Sequence, residues 1–301
     1  MSAAASLRRA LWRVFLQEDV NFLLTNRIPR RYATLFMGWY SRLEIPGLSR
    51  LSIAVFRLFA DDLHLEEAKS RRFKSLHAFF IRELRDGARP IDPRPEVLVS
   101  PCDGIVGAAG SLRGAVALQA KGLDYTLGEL LGDPDLAARY RDGIFVTLRL
   151  KSNMYHRFHA PTSGRVRQVR HISGDTWNVN PIALERVERL FCRNERAVVE
   201  LEPEDPSETI ALVPVAAIGV ASIRLHCLDR VLDLRHRGAT TFPCDAQVAR
   251  GQELGWFEAG STIIVLAPSG FQLDAGVVHG ATLRVGQPLL RRPVRQERTN
   301  A

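Results

Sequence analysis

The spacing of apolar residues changes part-way along this chain. Through about residue 85 they recur at intervals of three and four: Leu7, Leu11, Trp12, Phe15 and Leu16, then Leu48, Leu51, Val55, Leu58 and Phe59. That period gathers them on one stripe of an α-helix. Pro29 and Pro46 punctuate the segment, and residues 74–82 repeat the amphipathic pattern before a turn at 87–93. After residue 95 the apolar runs shorten and are broken by Gly and Pro, as strands are. Candidate strands are 97–100, 105–108, 115–120, 144–150, 166–171, 197–201, 210–218, 220–225, 262–266 and 282–285. Short helices are expected near 127–131 and 181–190. The pattern predicts an α+β chain with a helical N-terminal region, 1–85, and a β-rich, mostly antiparallel core with short helices, 86–301. The break at residue 85 need not separate two independent domains.

Charge sharpens the reading of the front. The 301 residues carry 41 Lys and Arg against 33 Asp and Glu, a formal net charge of +8. Residues 1–60 hold nine arginines and three acids, so most of the excess sits there. A basic segment suits an anionic partner. Its Trp and Phe residues, with Trp39 and Tyr40, favour an anionic membrane surface, where a helix lies in plane with its apolar face down. An ordinary helix packed on the protein's own core would show the same spacing. Nucleic acid is disfavoured, since zinc-finger spacing and RNP-type motifs are absent from the sequence. No apolar stretch reaches the ~18–20 residues needed to span a bilayer. The first 24 residues make a poor signal peptide. The four cysteines lack C-x-x-C pairing, which suits reduced thiols in the cytosol and gives no metal site. The expected location is the cytoplasmic face of the cell membrane, as a peripheral protein.

Three short segments carry candidate chemistry. Gly260-Ser261-Thr262 leads into the β-branched run Ile263-Ile264-Val265. Its plain reading is a tight turn into a buried strand. Its chemical reading is a serine whose hydroxyl attacks the preceding Gly260 carbonyl. Ser100-Pro101-Cys102-Asp103-Gly104 places an acid in a turn, where it can cap backbone amides. Tyr155-His156-Arg157-Phe158-His159-Ala160-Pro161 holds two histidines three apart, on one face of a helical turn or on opposite faces of a strand. A serine hydroxyl needs a base, histidine is one, and a carboxylate can fix the imidazole. Asp103, either His156 or His159, and Ser261 supply these three groups in that order. Spacing alone leaves open which histidine serves and whether the groups meet.

Taken together, the segments resemble the phosphatidylserine decarboxylase proenzyme family, pyruvoyl-dependent enzymes that cut themselves at a Gly-Ser bond. Besides the three motifs, the likeness extends through Phe79-Phe80-Ile81-Arg82-Glu83-Leu84, Arg89-Pro90-Ile91-Asp92, Leu118-Gln119-Ala120-Lys121-Gly122 and Tyr125-Thr126-Leu127. It continues in Val179-Asn180-Pro181, Asn194-Glu195-Arg196 and residues 251–257. Two positions depart from the pattern: Ala259 stands where leucine is common, and Cys102 where alanine is frequent. Neither removes a reacting atom. The resemblance implies that Asp103, His159 and Ser261 form a self-cleavage triad acting on the Gly260–Ser261 bond. It implies two associated chains, 1–260 and 261–301, with Ser261 converted to a pyruvoyl group that forms a Schiff base with the substrate amine. It casts His156 as the proton donor in decarboxylation. The implied reaction turns phosphatidylserine into phosphatidylethanolamine and CO2, a step of phospholipid biosynthesis.

Other readings compete. A pyruvoyl decarboxylase could act on another serine-linked lipid or on a soluble amino acid, although the basic, aromatic front argues against a soluble substrate. Pro161-x-x-Gly164-x-Val166 resembles the turn of small carrier barrels, which would give Ser261 no special role. A serine hydrolase could use the same triad, but the G-x-S-x-G elbow is missing. The carrier and the hydrolase would both remain one chain.

Overall fold

A computed structural model describes residues 17–60, 62–120, 123–219, 222–258 and 261–292. The expected helix at Leu7 to Leu16 and the residues Ala259 and Gly260 lie outside them. The front is helical where described: α1 (Glu18–Asn26), α2 (Arg30–Ser41) and α3 (Pro46–Phe59). Pro46 opens α3 at a position where its missing N–H costs nothing. A short α4 (Leu76–Phe80) follows, with the Ser75 side chain capping the Ala78 amide. Leu63, Leu76, Phe79 and Phe80 form a small core there, against which Phe56 of α3 packs.

The rest of the chain is mostly antiparallel sheet. In chain order the strands are β1 (Val97–Val99), β2 (Gly104–Ser111), β3 (Val116–Ala120), β4 (Leu123–Thr126), β5 (Ile144–Leu150) and β6 (Arg157–His159). Then come β7 (Gly164–Ile172), β8 (Arg196–Glu202), β9 (Ile210–Ala216), β10 (Ser222–Leu225), β11 (Val231–Asp233) and β12 (Ala239–Val248). The last are β13 (Glu253–Phe257), β14 (Ser261–Ala267), β15 (Gln272–Leu273), β16 (Thr282–Leu283) and β17 (Pro288–Arg291). Eight of these make the main sheet, in the order β12-β7-β8-β9-β14-β5-β2-β16. A second sheet, β11-β10-β13-β6, carries the histidine motif.

Side chains alternate faces along a strand, and β14 shows the consequence. Ile263, Val265 and Ala267 enter one core cluster, together with Leu98, Cys102, Phe158, Ala160 and Phe257. Ile264 and Leu266 enter the other, with Tyr125, Leu127, Leu130 and Phe191. Both faces of the sheet are therefore covered, which explains why β9 and residues 263–267 of β14 are apolar on both faces rather than alternating with polar residues.

The expected helix at 74–82 is shorter than its pattern. The chain leaves helical geometry at Ile81, and Arg82 turns inward to donate to the Leu63 and Asn153 carbonyls at 3.1 and 3.0 Å. The single helix expected at 181–190 is two, Pro181–Arg186 and Leu190–Arg193, broken where Arg189 takes a left-handed φ of 52°. Strand β12 escapes the sequence pattern altogether. It lies at the sheet edge, where Pro243 costs no ladder bond and a bulge follows between Pro243 and Ala246.

Candidate active site

Ser261 opens β14, paired with Leu150 on one side and Ala216 on the other. It shares the face of Ile263 and Val265, so its side chain points toward the cluster that contains Phe158, Ala160 and Cys102. These are neighbours of the two histidines and of Asp103 in sequence. Ser261 is fully buried, and its Oγ has no hydrogen-bond partner among the described residues. A buried hydroxyl left so costs about 1–3 kcal/mol, which marks it as a group kept for chemistry rather than for stability.

Strands β6 and β13 run antiparallel, with His159 opposite Glu253 and Arg157 opposite Trp256. His156 therefore lies beside the end of β13 that leads to Ser261, and its carbonyl accepts the Phe257 amide at 2.9 Å. Its ring is fully buried, edge-on to Phe80 with centroids 5.8 Å apart, and neither nitrogen has a hydrogen-bond partner among the described residues. Burial, helped by the Arg82 charge, pushes its pKa down to about 3; the Met154 backbone opposes weakly, outside hydrogen-bond geometry. The ring is neutral near pH 7.

His159 has both ring nitrogens engaged. Nδ1 lies 2.9 Å from the Gly251 carbonyl, which can only accept, so Nδ1 carries the proton. Nε2 then accepts from the Tyr155 hydroxyl at 3.1 Å. Burial lowers the His159 pKa; the Gly251 carbonyl and the charges of Glu253 and Asp103 oppose it without cancelling it. The His159 amide donates to the Pro101 carbonyl at 2.7 Å, tying the histidine segment to the aspartate turn.

Asp103 is held elsewhere. Arg89 grips it with Nε to Oδ1 at 2.9 Å and Nη2 to Oδ2 at 2.6 Å, and the Val285 amide donates to Oδ1 at 2.9 Å. Arg89 also pairs with Glu67 at 2.8 Å. Among the described residues, then, Asp103, His159 and Ser261 do not form a continuous chain of hydrogen bonds. The carboxylate takes a guanidinium, whose two parallel N–H groups bind it better than a neutral imidazole can. Asp103 reaches His159 through its charge alone.

A family model for phosphatidylserine decarboxylase matches residues 76–291, a stretch that holds Asp103, both histidines and Ser261. The chain belongs to the phosphatidylserine decarboxylase family. A phosphatidylserine decarboxylase proenzyme of Halorhodospira halophila is 38% identical over 91% of this chain and 93% of its own length. Proenzymes of the same name from Brevibacillus brevis and Anaeromyxobacter sp. are 35% and 38% identical, over 88% and 87% of this chain and 95% and 94% of theirs.

Four residues around this site had no role in the sequence reading. Arg89 and Tyr155 occupy the groups expected to form the triad. Arg82 is buried beside His156, with Nε and Nη1 unpartnered. Glu258 is buried just ahead of the Gly-Ser pair. Arg82, Arg89 and Tyr155 stand inside the quoted motif segments, but nothing in one sequence says what a long cationic side chain will reach.

Proposed function

We propose that this chain cuts itself between Gly260 and Ser261 and then converts phosphatidylserine to phosphatidylethanolamine and CO2. The observation that carries the proposal is the buried, partnerless Ser261 Oγ at the head of β14, facing the side of the core that holds the histidine motif. His159 takes the Ser261 proton at Nε2, the nitrogen that otherwise holds the Tyr155 hydroxyl. The Asp103 charge favours the imidazolium so formed. Oγ bonds to the Gly260 carbonyl carbon, the peptide C–N bond breaks, and the Ser261 nitrogen is released as an amine. β-Elimination then frees the Gly260 carboxylate and leaves dehydroalanine. Hydration and loss of ammonia yield a pyruvoyl group. Strand β14 stays in the sheet between β5 and β9, so chains 1–260 and 261–301 remain a heterodimer.

The residues present fit that group, because position 261 is enclosed and its Oγ, which leaves with the Gly260 carboxylate, gives up no hydrogen bond when it goes. A pyruvoyl ketone supplies an electron sink that protein side chains lack. His156 sits neutral beside this segment and relays a proton, passing one from a ring N–H to the carbon that loses the carboxylate as its other nitrogen takes one up, so that the ring stays neutral. His156→Ala is then expected to depress turnover about 10²–10⁴-fold while self-cleavage continues. A second reading makes His156 the base for cleavage, favoured by the Phe257-to-His156 backbone bond. Under that reading His156→Ala stops cleavage, and His159→Ala does not.

The front helices serve the lipid. Of the 15 exposed large hydrophobic residues among those described, 11 lie between Leu23 and Leu58. Leu51, Val55 and Leu58 make one exposed face of α3, and Tyr32, Phe36 and Trp39 are exposed on α2. Beside them Arg50, Arg57, Arg71, Arg72 and Lys74, with the single acid Glu44, line a cleft of about 570 Å³, and none of the five cations forms an ion pair among the described residues. Among the described residues, no helix is long and apolar enough to cross a membrane. An apolar face with unpaired cations beside it suits peripheral docking on an anionic bilayer, and reduced thiols suit its cytoplasmic face. The decisive assay gives the purified protein phosphatidylserine vesicles and follows CO2 and phosphatidylethanolamine. Borohydride, which reduces a ketone, must abolish the activity; activity that survives it refutes the pyruvoyl reading.

A further inference from the structure

Glu258 stands two residues ahead of Gly260 and three ahead of Ser261. The residue is only 4% exposed, and its carboxylate is met from three separate elements. Oε2 accepts from Arg42 Nη2, just past the end of α2, and from the Ser222 Oγ at the start of β10, at 2.8 Å. Oε1 lies 3.3 Å from His77 Nε2 of α4, an ion-pair distance without hydrogen-bond alignment. The backbone is fixed too. The Glu258 amide donates to the Ser222 carbonyl at 3.2 Å, and the Phe257 amide to the His156 carbonyl at 2.9 Å. On the far side of the bond, Ser261 is locked in register with Leu150 and Ala216. Two residues span the gap between these fixed points.

An N-to-O acyl shift is sensitive to this arrangement. Attack requires the Gly260 carbonyl carbon close to Oγ, with the carbonyl turned for addition, and small misplacements are costly. A buried carboxylate with three partners is a stiff anchor for a backbone that must hold one such geometry. Arg42 makes the anchor continuous with the front of the chain, because it lies beside α2 and its side chain is half-exposed.

We infer that Glu258, clamped by Arg42, His77 and Ser222, is a positioning residue that sets the Gly260 carbonyl for attack by Ser261 and joins that geometry to α2. The inference rests on the self-cleavage reading above. Glu258 forms and breaks no bond in the reaction. After cleavage its side chain still tethers the new C-terminal tail, whose backbone link to β14 is gone.

The test follows conversion of newly made full-length chain to its two products during cell-free synthesis. Wild type, Glu258→Gln, Arg42→Met, the pair together, and Arg42→Lys are compared. Loss of one hydrogen bond to a charged group corresponds to a slowing of about 10- to 100-fold for Glu258→Gln and for Arg42→Met. The double variant is expected to be no slower than the worse single one, since both break one contact. Arg42→Lys keeps the charge and recovers most of the rate. Material that does become cut decarboxylates a short-chain soluble phosphatidylserine at the wild-type kcat. Wild-type conversion rates in both single variants overturn the inference, as does additive slowing in the pair or failure of Arg42→Lys to recover. A wild-type chain that never breaks at Gly260–Ser261 overturns the cleavage reading itself, which keeps the two failures distinct.

Discussion

His156→Leu tests how far this protein gives up stability for chemistry. Leucine keeps nearly the volume of the ring and removes two buried nitrogens that have no hydrogen-bond partner. Relief of that desolvation is worth about 1–3 kcal/mol at pH 7.5, where the ring is neutral in both folded and unfolded chains. The lost edge-on contact with Phe80 offsets up to about 1 kcal/mol of it. The pH-dependent part is the cleaner signal. His156 titrates at about 3 when folded, against 6.5 as its ordinary value. Below pH 6.5 the unfolded chain binds a proton that the folded one does not, so wild type loses stability as pH falls toward 3. At pH 5 this amounts to 1.5 pH units below the ordinary pKa, or about 2 kcal/mol. The leucine variant lacks that term. Urea unfolding of both cleaved proteins, at one protein concentration, is expected to show a gap that widens by about 2 kcal/mol from pH 7.5 to pH 5.0. A gap that stays constant would refute the reasoning, because it would mean that His156 is not held neutral by burial.

Two further outcomes are expected. Arg89→Met leaves Asp103 and Glu67 without their shared guanidinium. Breaking a buried pair on one side costs about 3–5 kcal/mol, so thermal melting should fall by roughly 6–20 °C; a drop under about 2 °C would show that the carboxylates do not need it. Leu51→Glu with Leu58→Glu is expected to weaken sedimentation with anionic vesicles while turnover of a short-chain soluble substrate is unchanged. Equal loss of both would make the α3 face structural.

The sequence made some of this architecture legible and hid the rest for identifiable reasons. Strand β5 is legible residue for residue because Ile144–Leu150 is rich in apolar and β-branched residues, broken only by Thr147 and Arg149, and is bounded by Gly143 and Lys151. Helix Leu127–Leu131 stands where it is expected, and the structure shows why the local sequence holds it: Thr126 and Glu129 form a capping box, and Gly132 ends the turn with a left-handed φ of 62°. Strand β12 was missed because an edge strand exposes alternate residues and tolerates Pro243, and both features dilute a strand pattern. The motif residues were legible as types. Their partners were not. That Arg89 closes on Asp103, that Tyr155 occupies His159 and that Arg42 reaches Glu258 across 216 residues depends on packing that no local spacing encodes.

The most direct test of the whole account is a denaturing gel with intact mass on purified wild type beside Ser261→Ala. The account predicts that wild type gives two chains, one ending at Gly260 and one beginning with a blocked residue 261, while the variant stays whole. A wild-type protein that remains a single 301-residue chain with a free serine would contradict it, and would move a carrier or hydrolase role ahead.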